Sequence, residues 1–206
     1  MKPILIGGIG NVLLGDDGVG PYVVRLLESR YDFGDSVEIV DLGTPALDLL
    51  HRIAGRQAVI LVDCVASEDD PPGSVVLYRK EDILRTAPTP RLDPHSPALS
   101  ECLLTAEMFG TTPKNILLVG VVGESLEPGC ELSPAVGDAV ETAIEAIILE
   151  LKFLECDVEQ KTDTSEDGVW WIQTRLRCLR ANLSVEGSGG RSDFPLDLLG
   201  WSAFVS

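Results

Sequence analysis

The 206-residue chain lacks the residue groupings that mark several common classes of protein. Its five cysteines are scattered, with no Cys-x-x-Cys, which argues against a disulfide scaffold or a structural zinc site and favours a reducing, cytoplasmic environment. Only 16 basic residues stand against 33 acidic ones, and the net charge of −17 argues against nucleic acid and anionic membranes as partners. No apolar run approaches the roughly 20 residues of a membrane span, and Pro3–Ile6 is too short for a signal peptide.

Familiar catalytic and cofactor motifs are also missing. There is no Gly-x-Ser-x-Gly, no His-Glu-x-x-His and no paired Cys and His, which argues against the usual nucleophiles and zincins. Cys64 is better explained as a small buried strand residue than as a nucleophile. A glycine-rich turn follows the first apolar segment, but Leu13 stands where a dinucleotide-binding fingerprint needs its third glycine. Asp16 and Asp17 in that turn would repel a phosphate, so the turn suits a cation.

Apolar runs of strand length alternate with segments of helical period, the pattern of a parallel sheet with helices on both faces. This predicts a three-layer α/β fold with a mostly parallel, twisted sheet of about five strands. The predicted strands are Ile4–Ile6, Val37–Asp41, Ala58–Asp63, Val75–Tyr78 and Ile116–Val122. The predicted helices are Tyr22–Arg30, Ala46–Ile53, Leu99–Phe109 and a long helix with Ser133 as its N-cap, Pro134 as its first residue and an end near residues 153–156.

The chain changes character after residue 156. Residues 1–156 are predicted to form the α/β domain, and residues 157–206 a C-terminal extension, because residues 157–168 are polar and acidic and residues 186–192 are rich in Gly and Ser. Part of this extension is expected to be disordered. Within it, apolar residues recur at helical spacing beside three arginines, which predicts an amphipathic helix. The apolar residues are Val169, Ile172, Leu176, Leu179 and Leu183, and the arginines are Arg175, Arg177 and Arg180.

Acidic residues follow four of the predicted strands, at the edge where open parallel sheets bind ligands. Asp16 and Asp17 follow the first strand, and the others are Asp41, Asp63 and Glu124. A single acid at a strand end is an ordinary turn residue, and solvated loop acids are the plain alternative. Several acids converging on one edge would repel one another unless a cation or a shared proton relieved the repulsion.

The chain has two histidines in different settings. His51 is predicted to lie on a helix surface or at a helix end. His95 lies between Pro94 and Pro97, which restrict the loop and help to hold the imidazole in place. Together with Asp17 and Asp63, His95 would form a three-ligand site with open positions, which suits a borderline divalent metal.

The motif Gly-x-Gly-Asn-x-Leu-x-x-Asp-Asp-Gly-x-Gly, here Gly8–Gly20, resembles the opening signature of the hydrogenase maturation proteases. These endopeptidases trim the C-terminal extension from the large subunit of nickel-iron hydrogenases after nickel has been inserted. The resemblance continues in order through Asp41-x-Gly43-Thr44, Val62-Asp63, Pro94-His95 and residues 118–128. It covers about residues 3–152 and does not account for residues 157–206.

The resemblance implies a nickel-contacting trio that falls on Asp17, Asp63 and His95. Asp17 stands where the family often has Glu, and Asp16 beside it is a competing candidate for the same role. A further departure is Leu42, where a glycine often stands. The nickel would be supplied by the substrate, and cadmium or zinc would substitute for it. Two mechanisms stay open, one in which the metal performs the chemistry and one in which Asp17 and Asp63 share acid and base roles as an aspartic dyad.

The partner implied by the resemblance is the precursor of a nickel-iron hydrogenase large subunit, processed by a cytoplasmic monomer. Two alternatives belong to other classes of protein. A non-cleaving, metal-dependent chaperone would use the same trio to recognise the loaded precursor. A nucleotide-binding module is favoured only by the strand, glycine turn and helix at the start of the chain.

Overall fold

A five-stranded sheet organises the protein, for which a computed structural model describes residues 2–45, 48–85, 99–129 and 131–162. The strands are β1 (Ile4–Ile9), β2 (Tyr31–Asp32), β3 (Val37–Gly43), β4 (Ala58–Val65), β5 (Val75–Arg79), β6 (Asn115–Val122) and β7 (Glu159–Gln160). The main sheet has the order β3-β1-β4-β6-β5, in which β5 is antiparallel to β6 and the other pairs are parallel. The predicted mostly parallel sheet of about five strands is confirmed.

Helices cover both faces of this sheet. They are α1 (Val19–Arg30), α2 (Asp48–Ile53), α3 (Lys80–Arg85), α4 (Leu99–Met108) and α5 (Pro134–Phe153), and a 3-10 helix, Gly15–Gly18, precedes α1. Alternate strand residues point to opposite faces. Ile4 and Ile6 therefore join the core formed with α1 and α5, whereas Leu5 joins the core formed with α2, α3 and α4. The predicted three-layer α/β fold is confirmed.

Helix α5 follows the prediction closely. The side chain of Ser133 accepts a hydrogen bond from the Val136 N–H at 3.4 Å, and Pro134 is the first helical residue. The predicted apolar face is fully buried against the sheet, and each such side chain stabilises the fold by about 1.5–3 kcal/mol. Its members are Val136, Val140, Ile144, Ile147 and Leu151. Helix α5 thus packs in the same core as α1.

Several short elements were not predicted. The 3-10 helix, α3, β2 and β7 contain too few residues to show a hydrophobic period. The second helix is described from Asp48, and positions 46 and 47 lie outside the described residues. None of the helices in the described ranges combines the length and the apolarity that a membrane crossing needs.

Strand β7 joins the start of the predicted extension to the α/β domain. It pairs antiparallel with β2, and Lys161 N–H donates to the Arg30 carbonyl oxygen at 2.8 Å. The Lys161 side chain donates to the carbonyl oxygen of Glu28 at 2.7 Å. The predicted amphipathic helix lies outside the described residues, and the boundary at residue 156 stays a prediction.

Two arginines bind carboxylates in or beside the core. Arg79 forms a bidentate salt bridge with Glu150, in which Nη1 donates to Oε1 at 2.6 Å and Nη2 donates to Oε2 at 2.7 Å. The Glu150 side chain is only 6% exposed. Arg56 is buried and donates to Glu38 at 2.7 Å and to the Lys2 carbonyl oxygen at 2.8 Å. These pairs compensate charges that would otherwise be costly to remove from water.

Candidate active site

Two glycines allow main-chain atoms to approach closely around the turn between β1 and α1. A Cβ added to Gly20 would lie 2.2 Å from the carbonyl oxygen of Ile9 and 2.5 Å from that of Val62. A Cβ added to Gly10, whose φ is +131°, would lie 1.8 Å from the carbonyl oxygen of Asp17. Glycine is the residue that tolerates both this backbone conformation and this contact. Gly20 therefore brings the first turn of α1 against β1 and β4, and Gly10 lets the turn after β1 pack against the 3-10 helix that carries Asp17.

Asp16 ties this turn to the loop after β6. Its side chain is fully buried and accepts three backbone N–H groups, from Glu124 at 2.8 Å, Ser125 at 2.9 Å and Ser133 at 2.6 Å. Burial by itself would raise the pKa of Asp16, but the hydrogen bonds from Ser125, Ser133 and Glu124 outweigh it and lower the pKa. Asp16 is thus an ionised structural acceptor, and both of its carboxylate oxygens already accept hydrogen bonds.

Asp17 and Asp63 form an electrostatically coupled pair. Asp17 is 6% exposed, and its Oδ2 accepts the Asn11 N–H at 2.7 Å. Burial raises the pKa of Asp17, against the opposing effect of that hydrogen bond. Burial and the negative charge of Asp17 raise the pKa of Asp63 to about 7, although the N–H of Cys64 stabilises the charged form. The structure therefore brings these two predicted site residues together.

A coupled carboxyl pair of this kind has two chemical uses. Near neutral pH the pair can retain a proton, so that one carboxyl donates a hydrogen bond or a proton while the other accepts one. Alternatively, a divalent cation can displace the proton and relieve the repulsion between the two charges. Oxygen and nitrogen ligands suit zinc, nickel and related borderline metals.

The other residues singled out in the sequence have settings different from that of the Asp17–Asp63 pair. Asp41 is exposed, and its Oδ1 accepts the Gly43 N–H at 2.9 Å, a local turn contact. Glu124 presents an exposed side chain and contributes its backbone N–H to the Asp16 contact. His51 is exposed in the last turn of α2. Cys64 is buried within β4, as predicted.

His95 lies outside the described residues. Among residues 2–45, 48–85, 99–129 and 131–162, no group of three or more His, Cys, Asp and Glu side chains is placed to hold a metal ion. The described part of the chain thus supplies two of the three predicted ligands, and the role of His95 stays a prediction.

Comparison with known proteins places this arrangement in a family. A family model described as hydrogenase maturation protease matches residues 21–150. The chain is 38% identical over 149 residues to the hydrogenase 2 maturation protease of Escherichia coli, covering 72% of this chain and 90% of that protein. The chain belongs to the hydrogenase maturation protease family.

Solved structures and a second relative agree with this membership. The hydrogenase maturating endopeptidase HybD from E. coli superposes on the maturation protease described here with a TM-score of 0.73 and 36% identity, over 79% of this chain and 99% of that one. The hydrogenase expression/formation protein HoxM of Cupriavidus necator is 32% identical over 139 residues, 67% of this chain and 68% of that protein. The expected resemblance is confirmed, and this maturation protease is accordingly a peptidase.

Sequence reasoning missed the structural role of Asp16. Adjacent acids in a turn look equivalent in sequence, and the 3-10 geometry of residues 15–18 decides which carboxylate faces which neighbour. The partners of Asp16 lie 108, 109 and 117 positions away, so no local pattern reveals them. The contact between Asn11 and Asp17 is local, but its donor is a main-chain N–H, which every residue except proline provides. The residue type at position 11 therefore does not reveal this contact.

Proposed function

We propose that this maturation protease cleaves the C-terminal extension from the nickel-loaded precursor of a nickel-iron hydrogenase large subunit. Asp17, Asp63 and His95 would contact the nickel that the substrate carries, so that the metal serves as the recognition signal. The observation that supports this proposal is the coupled Asp17–Asp63 pair. Two buried or partly buried acids that repel one another provide a site where a cation is stabilising.

The position of Asp63 in β4 supports the inclusion of His95. Asp63 follows Val59 and Leu61 at every second position of β4, so the three residues share one face of the strand. Val59 and Leu61 pack on that face in the core formed with α2, α3 and α4. His95 precedes the first residue of α4, Leu99, by four positions.

Two roles for the acids are compatible with peptide hydrolysis. In one, a carboxylate accepts a proton from the attacking water, and the protonated partner delivers a proton to the leaving amide nitrogen. In the other, both carboxylates serve as ligands that hold the substrate's nickel beside the scissile bond, so that binding itself positions the peptide. The raised pKa of Asp63 is compatible with both roles.

A processing assay tests the proposal. Purified large-subunit precursor, prepared with and without nickel, is incubated with the full-length protease, and the mass of the large subunit is measured. We expect a mass loss only for the nickel-loaded precursor, and none with Asp17→Asn or Asp63→Asn. Asp69→Asn removes an equal charge at an exposed position and serves as the control. Complex formation without a mass change would instead indicate a chaperone, and cleavage of nickel-free precursor would exclude the metal as the signal.

A further inference from the structure

The turn after β1 presents a leucine to solvent close to Asp17 of the acid pair. Leu13 is 55% exposed. Single exposed leucines are common on protein surfaces, and exposure alone assigns no role. What distinguishes Leu13 is how firmly its backbone is held and how near it lies to Asp17.

The backbone of Leu13 is fixed on both sides. Its N–H donates to Asn11 Oδ1 at 3.0 Å, and its carbonyl oxygen accepts the Gly129 N–H at 2.9 Å. The next residue, Leu14, forms a parallel bridge with Gly129 and donates its N–H to the Asn11 carbonyl oxygen at 3.0 Å. These contacts involve main-chain atoms and the Asn11 side chain, so the turn does not depend on the Leu13 side chain for its conformation.

The same turn contacts Asp17 of the acid pair directly. The Asn11 N–H donates to Asp17 at 2.7 Å, and Leu13 is two residues further along, within about 7 Å of Asn11 between Cα atoms. The backbone of Leu13 is therefore held close to Asp17, and its exposed apolar side chain is available to a polypeptide that binds at the acid pair. Such a preorganised group binds without the entropic cost of ordering a mobile loop.

We infer that Leu13 is a specificity-determining residue, which binds an apolar side chain of the substrate polypeptide next to the acid pair. This inference rests on the proposed function and adds a contact that recognises the polypeptide rather than its metal. About half of the Leu13 surface remains to be buried in the complex, and burial of apolar surface is worth enough to change affinity about tenfold.

The test is steady-state processing of the nickel-loaded large-subunit precursor by full-length variants. We expect Leu13→Ser to raise KM about tenfold with kcat within about twofold of wild type. Leu13→Met, which keeps an apolar side chain, should have a KM close to that of wild type. Leu13→Asn places a residue that turns favour at the same position, and should reproduce the Leu13→Ser effect in a folded protein. Because the contact is apolar, the KM ratio of variant to wild type should be equal at low and high salt.

Leu149→Ser provides the matched control. Leu149 is 66% exposed on α5, and lies 16 residues beyond Ser133, about 24 Å along the helix axis from the Asp16 contact. Its substitution should leave KM unchanged. An unchanged KM in Leu13→Ser, or an equal rise in Leu149→Ser, would overturn the inference while leaving the proposed function intact. A wild-type protease that cleaves no precursor would overturn the proposed function and this inference with it.

Discussion

The carboxylate of Asp16 accepts the backbone N–H of Ser133 at 2.6 Å, across 117 positions of sequence. Ser133 is also the N-cap of α5, so one buried acid connects the turn after β1 to the start of the longest helix in the described part of the chain. Two further N–H groups complete the contact, and the carboxylate has no exposed surface. This relationship makes Asp16 a determinant of stability.

We therefore expect Asp16→Asn to lower the free energy of unfolding by about 2–4 kcal/mol, because an amide loses the charge-assisted bonds and turns its NH2 group toward N–H donors. The pKa of Asp16 is lower in the folded state, so its contribution is present above its ordinary value of 3.8 and is lost as the pH falls through the folded value. Chemical denaturation at pH 7 measures the loss. Asp35→Asn, which removes an exposed charge, is the control, and equal stability in the two variants would contradict this role.

The contribution of Asp63 to stability should depend on pH in the opposite direction from that of Asp16. Its pKa is raised to about 7 from 3.8, so its favourable contribution is complete below pH 3.8 and is lost as the pH rises through 7. We expect Asp63→Asn to be more stable than wild type above pH 7, by about 2 kcal/mol after allowance for partial exposure, and to converge with it in acid. Thermal melts across this range are the measurement. A wild type that is the more stable protein at pH 8 would contradict the raised pKa that burial and the charge of Asp17 give to Asp63.

The acid pair and His95 should bind a divalent cation with modest affinity, because a site that shares its metal with a substrate needs open positions. Calorimetric titration with nickel, cadmium or zinc should show binding to wild type that weakens about tenfold or more in His95→Ala. Affinity should fall as the pH drops below 7, since Asp63 must lose its proton to bind the metal. Identical affinities in wild type and His95→Ala would remove His95 from the site.

The contact between Arg79 and Glu150 gives a prediction that is independent of function. Arg79→Met should destabilise the fold by about 3 kcal/mol, because it leaves a buried carboxylate unpaired. Adding Glu150→Leu should recover most of that loss, since an apolar residue needs no partner. Arg85→Met breaks the pair with Asp82, in which Arg85 is 77% exposed, and should change stability by less than 1 kcal/mol or so. Additive effects of Arg79→Met and Glu150→Leu would contradict the coupling.

Two truncations test the domain boundary. A protein that ends after Thr162 should melt within a few degrees of the full chain, a difference of roughly 1 kcal/mol for a domain of this size. A protein that ends after Cys156 also loses β7 and the Lys161 contacts with Glu28 and Arg30, and should melt lower than the first truncation. Differential scanning calorimetry distinguishes them. A large loss in the first truncation would place part of residues 163–206 in the core.

The sequence was most informative where a pattern is long or chemically specific. Helix α5 was predictable because Ser133, Pro134 and twenty residues of apolar period all point to the same element. The strands were predictable from their apolar runs, but β2 and β7 have two residues each and exist only because tertiary contacts pair them. The distinction between Asp16 and Asp17 was not predictable, since it depends on N–H groups from a loop more than one hundred residues away.

The close approach at Gly20 has a consequence for how this protein can vary. The first turn of α1 packs at Gly20, three residues after Asp17, against the carbonyl oxygens of Ile9 in β1 and Val62 in β4, and main-chain atoms are common to every amino acid. Enlarging or shrinking apolar side chains deeper in the sheet changes stability by creating cavities or strain. It does not move this main-chain contact directly. The segment that carries Asp17 is therefore held beside the strand that carries Asp63 by atoms that no substitution in the core replaces.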